Sequence, residues 1–139
     1  MRRLMSLAVL AVIALGALAA SPKQSNTLEL LNTPVYGGEA TFHVQLYKKA
    51  QLVNSVVWCY QSGAYVWMQE EFLPNSGWSK GQWEGDIIFG PLEGNGDLEG
   101  PGLNQTIPAN CVGVVFQEAQ SASQGRTVLT NSVQFEVMP

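Results

Sequence analysis

Charge is scarce in this 139-residue chain. Lys, Arg, Asp and Glu together make up 13% of it, about half the usual share of a soluble domain. No block concentrates one sign, so no electrostatic tail or basic stripe is present. Seven basic residues against eleven acidic ones leave nothing to neutralise a phosphate backbone. Neither nucleic acid nor an anionic lipid surface is therefore an expected partner. Histidine is nearly absent: His43 stands alone. A single His and two Cys give no zinc-ligand spacing. Amphipathic helix periodicity is missing throughout the chain after its first 20 residues. An all-helical fold is excluded on that ground.

The N-terminus is the one place with a long apolar run. Arg2 and Arg3 precede an uncharged stretch, residues 4–16, and Ala17 and Ala19 flank Leu18. That is the pattern of a secretory signal peptide, residues 1–19, cut after Ala19. The run falls short of the roughly 20 residues a membrane-spanning helix needs, and no Cys adjoins the cut. The expected product is residues 20–139, a single secreted domain, extracellular or periplasmic, with no stable membrane insertion. Loss of Arg2 and Arg3 takes the basic residues from 7 to 5 against 11 acidic, a net charge of −6. In an oxidising compartment Cys59 and Cys111 favour a disulfide over two free thiols.

Short β-rich runs separated by Gly, Pro, Asn and Ser occupy the rest. Strands are expected near 27–31, 40–47, 55–61, 64–69, 86–89, 111–117 and 127–137. In "ATFHVQLY", Phe42, Val44 and Leu46 oppose Thr41, His43 and Gln45; in "NSVQFEV", Val133, Phe135 and Val137 oppose Gln134 and Glu136. Such alternation marks half-buried strands. Residues 73–110 are Gly-rich and weakly periodic, and read as long connections around one strand. Seven strands with turn signals between them predict an all-β, two-sheet antiparallel sandwich with a long Gly-rich insertion before its sixth strand.

The stretch "VVWCYQSGAYVWMQ" reads as a hairpin turning at Ser62-Gly63. A regular register sets Tyr60 against Tyr65, Cys59 against Val66, Trp58 against Trp67 and Val57 against Met68. One face then carries Trp58, Tyr60, Tyr65 and Trp67; the other carries Val57, Cys59, Val66 and Met68.

"VVWCYQSG", "PANCVGVVFQ" and "GRTVLTNSVQFEV" together resemble small immunoglobulin-like domains of secreted bacterial and bacteriophage proteins. Those domains pair a "CYQ" strand with a late "AxC" strand and end in an "FxV" strand. The resemblance covers 41–137 apart from 73–110. It implies an immunoglobulin-like sandwich, a Cys59–Cys111 disulfide and nothing catalytic. Such domains usually serve as binding, adhesion or spacer modules. The usual bridge joins the two sheets. Here strand 40–47 has no Cys, so the bond would staple neighbouring strands of one sheet, worth roughly 2–4 kcal/mol. Cys59 opposite Cys111 would also set Trp58 against Val112 and Val56 against Val114.

Only one face of this hairpin can meet the second sheet. Burial of the aromatic face, the larger apolar payload, is the expected solution. The alternative buries the Val-Cys-Met face and leaves an aromatic platform outside, suited to sugars or protein partners. Either way the outer face is unusually apolar and needs covering, by the insertion or by a partner. Trp78 and Trp83 in "WSKGQW" are expected in a loop, as a lid over that face or as part of a carbohydrate cleft.

Catalytic machinery is not legible. His43 reads as a surface residue. Glu84 and Asp86 could form a distant carboxylate pair of glycosidase type, but a solvated rim is the plainer reading. "NGDLEG", residues 95–100, begins like a calcium loop yet has Thr106 where the bidentate Glu belongs. It reads as a flexible acidic loop, and no metal or cofactor is expected. Asn104-Gln105-Thr106 is a glycosylation sequon. The expected function is a secreted, non-catalytic binding or adhesion module, its partner a protein or carbohydrate. Candidate ligand-binding residues are Trp58, Tyr60, Tyr65, Trp67, Trp78 and Trp83. The alternatives are a structural, oligomerising protein and a small secreted glycan hydrolase.

Overall fold

The computed structural model describes residues 24–139. The expected signal peptide, residues 1–19, lies outside them. Two antiparallel sheets enclose one core, and the described residues contain no α-helix. The first sheet orders β1 (Thr27–Leu30), β2 (Ala40–Leu46) and β5 (Trp83–Phe89). The second orders β4 (Ala64–Phe72), β3 (Val53–Gln61) and β6 (Ala109–Gln117). Beyond β6 come β7 (Thr127–Val128) and β8 (Val133–Val137). The last expected strand, 127–137, is thus broken in two. Asn131 causes the break by leaving the ladder to cap β1, its side-chain amide accepting from Leu28 N–H and donating to Leu28 C=O, both at 3.0 Å.

The alternation in β2 does what the pattern predicts. Phe42, Val44 and Leu46 are fully buried and Thr41, His43 and Gln45 face outward. Phe42 joins the sheets, its ring edge-on to Phe89 at 5.7 Å and to Phe135 at 5.8 Å. Gly113 makes room for it, since a Cβ there would stand 3.0 Å from Phe42 Cζ. β5 starts earlier than expected, at Trp83, which pairs with Leu46.

The Cys59–Cys111 disulfide is present, its Cα atoms 4.0 Å apart across β3 and β6. It sets Trp58 opposite Val112 and Val56 opposite Val114, the register expected from the cysteines. The hairpin register departs from expectation. Ser62 and Gly63 both take positive φ, 50° and 77°, the two-residue turn that matches strand twist. Tyr60 pairs with Tyr65, but Cys59 then pairs with Trp67, Trp58 with Met68 and Val57 with Gln69. Val66 is an extra residue, a β-bulge, and it reverses the facing of everything after it. Trp67 turns inward and is 1% exposed.

The expected burial of the aromatic face is therefore wrong. Val57 and Cys59 face the core, while Trp58, Tyr60 and Tyr65 face out. A cross-strand staple needs both sulfurs on one side of the sheet, and the space between the sheets is already filled by Phe42, Phe89 and Trp67.

Candidate functional site

The outer face of the second sheet forms a grid. Across β4, β3, β6 and β8 one row reads Tyr65, Tyr60, Asn110, Glu136, and the next reads Met68, Trp58, Val112, Gln134. Below them lie Glu70, Val56, Val114 and then Phe72, Asn54, Phe116, Val128.

The middle of the lower half is covered, while Phe72 and Val128 at its two margins are each 59% exposed. Val56 and Val114 are buried although they face outward. Trp58 and Phe116 come from the rows on either side of this pair. Their rings run parallel within 11°, with centroids 6.3 Å apart, and so roof it over. The Arg126 guanidinium sits 5.3 Å from the Phe116 centroid, a cation–π contact. Its Nε donates to Glu118 Oε2 at 2.9 Å, and its terminal nitrogen lies 3.6 Å from Glu70. Asn54 Nδ2 donates to the other Glu118 oxygen at 3.0 Å. Desolvation pushes the Glu118 carboxyl up, but the Asn54 and Arg126 hydrogen bonds and the Arg126 charge outweigh it, leaving it below its ordinary value.

The upper half stays open. Tyr60 and Tyr65 are 39% and 43% exposed, their rings stacked at 5.5 Å. Beside them runs a groove of about 410 Å³ lined by Tyr60, Asn110, Val112, Gln134 and the backbone neighbours Cys111 and Phe135. Partial burial first, then the neighbouring Tyr60 and Glu70, hold the Tyr65 hydroxyl above its ordinary pKa. It stays a neutral donor.

A disulfide and a set of hydrogen bonds tie down the floor of the site. The disulfide lies on the core side of the strands that carry Tyr60 and Asn110. At the hairpin end, buried Gln61 donates to Tyr36 Oη at 2.9 Å and to Asn104 C=O at 2.7 Å, and accepts from Asn104 N–H at 2.8 Å. Burial, more than this hydrogen bond, sets the Tyr36 hydroxyl, which is held above its ordinary pKa.

Of the six candidate residues, the structure brings Trp58, Tyr60 and Tyr65 together on this face. Trp67 is core. Trp83 is not a loop residue but a buried strand residue, 8% exposed. Trp78 is half-buried against the core. Neither Trp78 nor Trp83 covers the outer face, so the expected lid is corrected: they close the core at the far end of the first sheet. The Gly-rich segment between β5 and β6 does not cover the outer face either; it packs along the β4 edge. Asp97 N–H donates to Met68 C=O at 2.7 Å and Asp97 Oδ2 accepts from Glu70 N–H at 3.0 Å. Gly96, at φ 62°, presses on Trp67 and Met68, where a Cβ would stand 2.1 Å from the Met68 carbonyl oxygen. The expected flexible acidic loop is thus a strand-edge cap. Sequence reasoning missed Asn110 and Gln134. The signal was available in the Cys59–Cys111 register, which sets Asn110 beside Tyr60.

The first sheet's outer face holds a second polar cluster that the sequence did not reveal. His43 Nδ1 lies 2.7 Å from Asp86 Oδ1 and its Nε2 lies 3.0 Å from Glu84 Oε1. Gln45 Nε2 also donates to Glu84 at 3.0 Å, and exposed Glu29 is the β1 partner of His43. The Asp86 hydrogen bond, then that of Glu84, raises the His43 pKa above its ordinary value. Gln45, then His43, lowers that of Glu84. Both carboxylates are thus hydrogen-bonded to one imidazole ring.

Among the described residues no helix is long and apolar enough to cross a membrane. Comparison with protein-family models, curated proteins and solved structures finds no match to the chain.

Proposed function

We propose that this chain is a secreted immunoglobulin-like module that binds its partner without catalysis, through the upper half of its second sheet's outer face. The observation that carries the reading is the exposed Tyr60–Tyr65 pair. The core closes without these rings, and outward-facing Val56 and Val114 below them are roofed by neighbouring side chains while the tyrosines are not. Contiguous exposed aromatic surface on a small domain is a mark of a binding site.

The immunoglobulin-like assignment is supported by strand order. The first, second and fifth strands share one sheet, and the third, sixth and last strands share the other, with the fourth added at the edge of the third. That is the division such sandwiches use. The disulfide fits an exported protein. The hydrolase alternative is the less favoured reading, because Glu84 and Asp86 both bond one histidine, and the cavity that Asp86 lines does not include Glu84.

The test is retention of the oxidised protein, residues 20–139, on insoluble polysaccharides and on immobilised collagen and mucin. At least one is expected to retain the native protein and to release the Tyr60→Ser/Tyr65→Ser variant. Retention unchanged by both substitutions contradicts the proposal. A concentration-dependent mass that the same substitutions abolish would replace it with the self-association alternative.

A further inference from the structure

Resting on that reading, we infer that the groove beside Tyr60 binds a neutral polysaccharide chain, with Tyr60 and Tyr65 stacking on sugar rings and Asn110 and Gln134 bonding their hydroxyls. Four observations carry this choice of ligand. The first is chemical pairing. The Tyr60 ring lining the groove, with Tyr65 stacked beside it, and the amides of Asn110 and Gln134 match a pyranose, which has apolar C–H faces and a polar hydroxyl rim. All four groups stand exposed on adjoining grid positions.

The second is charge. Groove-lining residues carry none, and the acidic residues nearest it are Glu136 in the Tyr60 row and Glu70 below Met68. With a net charge of −6 on residues 20–139, this face disfavours phosphate, sulfate and uronate polymers. A Glu136 carboxylate still suits a hydroxyl donor.

The third is size. The open area is the row from Tyr65 to Glu136 with Val112 and Gln134 below it, about 14 Å along the row and about 7 Å across at its β6–β8 end. Specific protein interfaces need roughly 800 Å² per partner, and the strip roofed by Trp58, Phe116 and Arg126 separates this area from exposed Phe72 and Val128 at the far margin. A short run of sugar rings fits what remains. The fourth is the backbone. Peptide recognition by strand addition needs a free sheet edge, whereas Tyr60, Asn110 and Val112 open this groove on the face of β3 and β6, which are paired on both sides, and not along the β8 edge.

The experiment is amide-resolved NMR on the oxidised protein, titrated with cello-, chito- and malto-oligosaccharides, a galactomannan, and heparin as the anionic control. At least one neutral glycan is expected to shift Tyr60, Asn110 and Gln134. Tyr60→Ala and Asn110→Ala should each weaken that binding by roughly tenfold, the scale of one stacking contact or bidentate hydrogen bond. Melting temperature confirms that both variants fold. Silence of every neutral glycan up to about 10 mM overturns the inference, as does tighter binding of heparin or a shift that Tyr60→Ala leaves unchanged. If the glycans are silent but Tyr60→Ser/Tyr65→Ser still releases the protein from collagen or mucin, the binding face stands and its ligand class is wrong. If neither responds, both fall.

Discussion

The Val66 bulge decides which tryptophan is structural, and the two choices differ in measurable energy. Trp67 is 1% exposed and packs beneath Gly96 at the edge of the core. Truncating it to Ala removes a whole buried indole and leaves a cavity, at a cost of about 3–5 kcal/mol. That is a large fraction of the roughly 5–15 kcal/mol expected of a domain. Trp58 is half-buried, and what it loses is its cover over Val56 and its stack on Phe116. Its truncation should cost about 1–2 kcal/mol. Trp67 Nε1 is buried without a hydrogen-bond partner, so Trp67→Phe also removes an unsatisfied donor. Relief of about 1–3 kcal/mol offsets the lost area, and this variant should fall within about 1 kcal/mol of the native protein. Urea unfolding of the oxidised protein, followed by far-UV circular dichroism, measures all three. The reasoning is refuted if Trp58→Ala costs as much as Trp67→Ala, because a regular hairpin would place both rings on one face.

Other parts of the fold give equally direct expectations. The folded pKa of His43 is raised above its unfolded value of about 6.5, so its contribution to stability is fully present below that pH and is lost as pH rises through the folded value. Imidazole NMR of this single histidine should show the raised pKa, and His43→Gln should flatten the fall in melting temperature over that window. The disulfide closes a separation of 52 residues, and chain-entropy reasoning sets its contribution at roughly 4 kcal/mol. Reduction that leaves the melting temperature unchanged would contradict this. Gly96→Ala meets both a positive φ and the Met68 carbonyl. It should cost about 1–3 kcal/mol and speed amide exchange along the outer edge of β4, whereas equal exchange would remove the edge-cap role.

How much was legible depended on whether a residue's neighbours are local. Strand identity in β2 and β8 followed from alternation alone. The β3–β6 register followed from the two cysteines, and it carried Asn110 to the side of Tyr60. The bulge was invisible because Val66, Trp67 and Met68 are all apolar, so either facing reads as a plausible strand. Trp83 was read as a loop because "GQWEG" is Gly-rich; its burial comes from pairing with Leu46, a contact 37 positions away. The His43, Glu84 and Asp86 cluster was hidden for the same reason. A charge in β2 says nothing about its partners until the β2–β5 register is known.

The most direct test of the account is hydroxyl-radical footprinting of the oxidised protein, read residue by residue by mass spectrometry, with and without a retained ligand. The account predicts strong labelling of Tyr60 and Tyr65, weaker labelling of Trp58 and none of Trp67, with ligand protecting the two tyrosines selectively. Heavy labelling of Trp67, or tyrosines whose labelling no retained ligand reduces, would contradict it.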